Sequence, residues 1–143
     1  MLKQYKNTAM NYTKEKEAIR TFLGNFAQVL NNGDTKAIPD FFDRNAIFIP
    51  DGMKKIIAGN QLGKTTNGYL KRSDFKIGYI IKDIKIENQF AFVEAFADTT
   101  ENRIADLKTV QKRSIDFFVL KNEGENWKIY RYIFNNVREL ELI

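Results

Sequence analysis

Lys112-Arg-Ser-Ile-Asp-Phe-Phe-Val-Leu-Lys-Asn-Glu-Gly-Glu-Asn-Trp-Lys-Ile-Tyr-Arg-Tyr-Ile-Phe134 belongs to two strand-like runs, Thr109 to Lys121 and Trp127 to Asn135, closed around Gly124. Alternation divides the first run into a face with Ser114, Asp116, Phe118 and Leu120 and a face with Arg113, Ile115, Phe117 and Val119. The second run sets Tyr130, Tyr132 and Phe134 against Ile129, Arg131 and Ile133. An antiparallel sheet that is wet on one side alternates apolar with polar residues. Neither face here is polar enough to meet water alone. One face is therefore expected to lie under helices of the same chain. The other is expected to meet a second copy of the sheet, in a two-fold homodimer. A monomer whose own arm or tail covers that face is the alternative.

Working outward, Phe90 to Asp98 alternates without a break. Phe90, Phe92, Glu94 and Phe96 share one face, and Ala91, Val93, Ala95 and Ala97 the other. Phe75 to Glu87 carries Phe75, Ile77, Tyr79 and Ile81 on one parity, then Ile84 and Ile86 on the other. That switch predicts a bulge near Ile80–Lys82 and a bent strand. Residues 99–108 read as a polar loop, and residues 137–143 as a short tail docking by Leu140 and Leu142. Toward the N-terminus, Ile19, Phe22, Leu23, Phe26 and Leu30 keep the spacing of one helical face. Thr13 is the predicted N-cap, with Glu15 and Glu17 in the first turn, and Asn31-Asn32-Gly33 is the stop. A short helix from Asp34 to Phe42, irregular at Pro39, precedes a strand over Ala46–Ile49 that Pro50-Asp51-Gly52 ends. A further helix is predicted from Asn60 to Leu70. Residues 1–12 read as a flexible arm and residues 13–143 as one domain. Helices ahead of four longer antiparallel strands give an α+β order, with the helices on one face of a curved sheet.

Composition narrows the chemistry. The 143 residues suit one domain, and a chain of this size buries roughly 70% of its unfolded surface without staples. There is no cysteine and no histidine. Disulfides, thiolate metal sites and Ser-His or Cys-His nucleophile pairs are thereby excluded. An enzyme made from this chain has carboxylates, Tyr, Lys and Arg to work with, and no metal or cofactor is expected. The net charge of +5 is spread along the chain, whereas a nucleic-acid binder gathers its charge on one face or arm, so no nucleic-acid partner is expected. Gly63-Lys64-Thr65 lacks the glycine spacing of a phosphate-binding loop. No window approaches the ~20 apolar residues of a membrane span, and residues 1–12 have no signal-peptide core. A cytoplasmic location and no membrane partner are the expectation. Twelve Phe, six Tyr and one Trp point to a large core, an aromatic-lined cavity, or both.

Val29-Leu-Asn-Asn-Gly-Asp34 at the end of the long helix, Phe41-Phe-Asp-Arg-Asn-Ala-Ile-Phe48, and the closing Phe117-Phe-Val-Leu120 with Trp127-Lys-Ile129 resemble the nuclear transport factor two-like superfamily. That group includes ketosteroid isomerases and SnoaL-like polyketide cyclases, and the likeness spans nearly the whole chain. It implies a cystatin-like α+β fold, in which a curved antiparallel sheet wraps N-terminal helices to form a cone. It also implies a pocket opening at one end and dimerisation through the outer sheet face. Isomerase-like members carry a Tyr on the first helix, an acid near the end of the first strand and an Asp in the penultimate strand. Asp116 matches the last of these. The tyrosine position falls on Phe26, and the base position on Pro50 with Asp51 beside it. Limonene-epoxide-hydrolase-like members have a carboxylate where this chain has Tyr132, and scytalone-dehydratase-like members use histidine.

Asp116 is the candidate catalytic residue. Among aromatic neighbours its carboxyl is desolvated, which raises its pKa and suits it to act as an acid or hydrogen-bond donor. A structural carboxyl bonded to a tyrosine hydroxyl or a basic side chain is the competing role. Glu94, sharing a face with Phe92 and Phe96, is a second candidate facing the cone, or else pairs with Lys112 on the neighbouring strand. Tyr130 and Tyr132 are candidate donors to a ligand. Candidate walls are Phe22, Phe26, Phe48 and Tyr69 from the first half of the chain, and Phe92, Phe96, Phe118 and Phe134 from the second. The expected function is a dimeric SnoaL-like domain that holds a small apolar molecule in a conical pocket, with isomerase-, cyclase- or dehydratase-type proton transfer. A non-catalytic dimeric interaction module is the alternative.

Overall fold

The structure, a computed structural model, describes residues 2–52, 57–58 and 68–140. The elements are helix α1 (Leu2–Asn31), a 3-10 turn (Ile38–Phe41), strands β1 (Phe42–Ile49) and β2 (Ile57–Ala58), helix α2 (Tyr69–Arg72), and strands β3 (Lys76–Glu87), β4 (Phe90–Asn102), β5 (Thr109–Glu123) and β6 (Asn126–Glu139). One curved, unclosed sheet takes the order β2-β1-β6-β5-β4-β3. It is antiparallel throughout except where β1 runs parallel to β6. The α+β class and the helix-on-sheet arrangement are as the sequence implied. No helix of the described residues is long and apolar enough to cross a membrane.

Helix α1 buries Ile19, Leu23, Phe26 and Ala27, the positions that helical spacing puts on one stripe. It starts at Leu2, so Thr13 lies inside the helix and residues 2–12 are helical rather than a loose lead-in. The stop is the expected one. Gly33 takes φ +65°, its N–H donates to the Leu30 carbonyl at 3.0 Å, and the Asp34 N–H donates to the Val29 carbonyl at 3.1 Å. That pair of bonds is the left-handed helix cap, which glycine adopts at no steric cost. Two residues before Gly33, the Asn31 side chain donates to the Ile77 carbonyl at 3.1 Å and accepts the Ile77 N–H at 2.6 Å, so the end of α1 is fastened to β3.

The predicted helix over Asp34–Phe42 contracts to the 3-10 turn Ile38–Phe41. Pro39 has no N–H to give and sits in the first turn, where none is needed. The chain before it is spent in tight turns, Thr35 N–H to the Gly33 carbonyl and Ala37 N–H to the Asp34 carbonyl. Strand β1 consequently begins at Phe42, four residues before the predicted Ala46. Most of the helix predicted over Asn60–Leu70, with Gly63-Lys64-Thr65, lies outside the described residues. The bend in β3 falls where the parity switch put it, with the register shifting between Ile81 and Asp83. Strand β4 runs on to Asn102, pairing Thr99 with Lys112 and Asn102 with Thr109, so the loop predicted over 99–108 shrinks to 103–108. Residues 137–139 continue β6, and the Leu140 N–H donates to the Gln111 carbonyl at 2.8 Å. Leu142 lies outside the described residues.

Between α1 and the sheet, Ile19 and Leu23 meet Val93, Phe118, Leu120 and Ile129, all fully buried. At roughly 1.5–3 kcal/mol per fully buried large side chain, this contact is the main reason the helix stays on the sheet.

Candidate functional site: a cavity ending on a buried carboxyl

Below that packed layer the helix and sheet diverge and enclose a cavity of about 620 Å³. Phe26 and Leu30 line it from α1, Phe42, Phe48 and Pro50 from β1 and the residue after it, Ile77 and Tyr79 from β3, and Tyr132 and Phe134 from β6. Small side chains on β4 and β5, Ala97 and Ser114, leave the space open. Asp51, Tyr69, Glu101, Lys112 and Arg113 form a more polar end. There the Tyr69 hydroxyl and the Lys112 ammonium both bond Glu101, the latter at 3.0 Å. Arg113 grips Asp98 with two bonds of 2.6 and 2.8 Å, which holds the Asp98 carboxyl below its usual range. Among the described residues no group of three or more acidic side chains is placed to hold a metal ion.

Asp116 lies on the cavity-facing side of β5 and is 1% exposed. Its Oδ1 accepts from the Ser114 hydroxyl at 2.5 Å, and its Oδ2 from the Tyr132 hydroxyl at 2.5 Å. Strand alternation brings Ser114 alongside, and the β5–β6 register places Tyr132 opposite Phe118, one pleat away. The Tyr132 oxygen is in turn 2.9 Å from the Tyr79 hydroxyl. Burial pushes the Asp116 carboxyl up, and its two hydrogen bonds oppose that shift without cancelling it. Burial also pushes the Tyr79 and Tyr132 hydroxyls upward, with the nearby Asp116 charge adding to it. Both tyrosines are therefore neutral donors in the working pH range. Phe26 stacks against Tyr79 at 6.3 Å and Phe118 against Tyr132 at 4.1 Å, which fixes both rings.

Of the residues singled out in the sequence, Asp116, Phe26, Phe48, Tyr69, Tyr132 and Phe134 line the cavity. Phe118 is buried behind Tyr132, and Phe22 packs on Phe41, so the lining includes neither. Phe92, Glu94 and Phe96 are on the opposite face of the sheet. On β4 it is Ala91, Val93, Ala95 and Ala97 that point inward, as their burial at alternate positions shows. Glu94 is exposed and does not pair with Lys112, which the register sets opposite Thr99. Tyr130 also faces outward, under the Arg131 guanidinium 3.9 Å from its ring. A register shift between Val119 and Leu120 adds a residue to β6 there, so Ile129 and Tyr132 are both buried. The reading missed Tyr79 and Ser114. Tyr79 shares the inward parity of Ile77 ahead of the bulge, and its hydroxyl was the available signal.

No family model matches the sequence, and no curated protein matches it. Solved structures do match. A conserved protein from Planctomyces limnophilus superposes with a TM-score of 0.80 at 11% identity, over 90% of this chain and 99% of that one. An NTF2-like protein with a cystatin-like fold from Novosphingobium aromaticivorans gives 0.78 at 10% identity, over 90% and 86%. The chain has the nuclear transport factor two-like fold. A ketosteroid isomerase-like protein from Erwinia carotovora atroseptica shares this fold at a TM-score of 0.71 and 15% identity, over 88% and 96%. At such identities the nuclear transport factor two-like likeness is one of architecture, and activity has to be argued from the site.

Proposed function

We propose that the cavity binds a small apolar molecule carrying one polar group, and that the polar group lies toward Asp116. The observation that carries this reading is an open, mostly apolar space of ligand size that ends on a single buried carboxyl network. Proton transfer of the isomerase, cyclase or dehydratase kind is the chemistry such a site supports, with Asp116 as the acid. The ketosteroid isomerase-like neighbour adds to that by analogy of fold. Binding is the better supported part. Pro50 and Phe26 stand where isomerase-like members have their base and tyrosine, and both Asp116 oxygens are already engaged.

Titration with bicyclic aromatic compounds, followed by amide NMR, tests the reading. Shifts are expected around Phe26, Phe48, Tyr132 and Phe134. They should vanish in Thr99→Trp, which fills the cavity from β4. Shifts confined to Phe92 and Phe96 on the outer face would overturn it.

A second copy of the chain is the partner we propose. Ile80, Ile115, Phe117 and Ile133 are large apolar side chains exposed on the outer face, a contiguous kind of surface that monomers seldom leave open. Sedimentation should show a dimer that Ile115→Glu together with Phe117→Glu converts to monomer while the far-ultraviolet dichroism is unchanged. A wild-type monomer at the same concentration would refute the interface.

A further inference from the structure

We propose that the hydroxyl cluster around Asp116 selects a ligand that donates a hydrogen bond, an apolar phenol or alcohol rather than a ketone or ether, and that Tyr79 is the residue that meets it. This rests on the cavity being a binding site. An ionised carboxylate only accepts hydrogen bonds, and Ser114 and Tyr132 both direct their protons at Asp116. The Tyr132 proton being committed, the 2.9 Å contact to Tyr79 is made with the Tyr79 proton. Every hydroxyl hydrogen in the cluster then points toward Asp116, and what the cluster shows the cavity is oxygen lone pairs. Tyr79, at the end of the chain and lining the cavity, is half-buried. Its oxygen is made a better acceptor by the aligned bonds behind it. A ligand O–H completes the row. A carbonyl there would set lone pair against lone pair.

The direction of the row depends on Asp116 alone. The titratable groups facing it are Tyr132 from β6 and Tyr79 from β3. Its own strand adds the Ser114 hydroxyl, β4 presents Ala95 and Ala97, and α1 presents Phe26. Lys112, further along the same face of β5, is held by Glu101 at 3.0 Å. When Asp116 takes a proton from solvent, that proton can be donated to Tyr132. The Tyr132 proton then turns to Tyr79, and the Tyr79 proton to the cavity. The selectivity reverses accordingly.

The test uses 2-naphthol, 2-methoxynaphthalene and naphthalene, with affinities measured by their own fluorescence. With Asp116 ionised, the naphthol is expected to bind about ten-fold tighter than the ether, a ratio consistent with one hydrogen bond to a polarised acceptor. The ratio should fall to about two-fold in Tyr79→Phe and should survive in Tyr130→Phe on the outer face. Thermal melts confirm that each variant is folded. At a pH low enough to protonate Asp116 the ratio should drop below one. Equal binding of naphthol and ether in the wild type overturns the proposal, as does a ratio unchanged in Tyr79→Phe. Loss of the ratio in Tyr130→Phe as well overturns the assignment to Tyr79. Failure of naphthalene itself to bind overturns the cavity reading beneath it, a different result from the first two.

Discussion

Phe118→Ala should destabilise the protein by about 3–5 kcal/mol and lower its melting temperature by roughly 10–20 °C. Phe118 is 0% exposed. Its ring lies 4.1 Å from that of Tyr132 and edge-on to that of Tyr79 at 5.4 Å. Removing it opens a void behind both tyrosines of the cluster, where β5 and β6 cannot close up. Against a total stability of about 5–15 kcal/mol, the loss is a large share of what holds the domain folded. Phe117→Ala, one residue away on the other face and 37% exposed, should cost the folded chain about 1 kcal/mol or less, because a surface truncation leaves no cavity. Urea unfolding of the two variants decides the matter, and equal losses would contradict the two-sided account of β5.

Asp116→Asn should abolish a pH dependence and leave the protein at least as stable as wild type near neutral pH. The Asp116 carboxyl is shifted upward in the fold from a reference value of 3.8, first by burial. At pH below 3.8 it is protonated in both folded and unfolded chains and contributes no difference. As pH climbs from there through the raised folded value, the unfolded chain ionises first and binds fewer protons, so stability falls. Above the folded value the penalty is complete. Asparagine keeps the shape without the ionisation, its carbonyl oxygen accepting from one hydroxyl and its amide donating to the oxygen of the other. Urea midpoints of wild type and Asp116→Asn, measured in steps from acid to neutral pH, should diverge in favour of the variant as pH rises. Asp98, held low by Arg113, contributes in the opposite sense, with stability lost as pH falls, and does so equally in both proteins. A difference between the two proteins that stays constant with pH would contradict a desolvated Asp116.

Strand β5 keeps strict alternation through the cavity region, so Ser114, Asp116, Phe118 and Leu120 were placed on one face by counting alone. The bend in β3 could be read because Ile77, Tyr79 and Ile81 change parity to Ile84 and Ile86. The matching irregularity in β6 left no such mark. Tyr130, Tyr132 and Phe134 look like an unbroken alternation, and only the register against β5 shows that Tyr130 has turned outward. On β4 the error lay in taking bulk as a sign of burial. Inward, Ala91 and Val93 pack in one cluster with Ile19 and Leu23 of α1, and Ala97 packs with Ala27 and Ile77. Tyr79 escaped notice because its role depends on a 2.9 Å contact with a residue 53 positions away. No local pattern encodes that contact.

The fastening of α1 to β3 has a consequence for how the protein stays apart from its neighbours in a crowded solution. Strand β3 is the long outer strand of the sheet, and an open edge of that length invites another chain to add itself by backbone pairing. Asn31 forestalls this at Ile77, because its side-chain amide takes up the outward N–H and carbonyl as a further strand would. Beyond that point the register shift at Ile81–Asp83 breaks the straight line of the edge, and Lys82, Asp83, Lys85 and Glu87 charge what remains. The last residue of α1 thus also guards the sheet's margin, and replacing Asn31 would remove protection against aggregation along with a local bond.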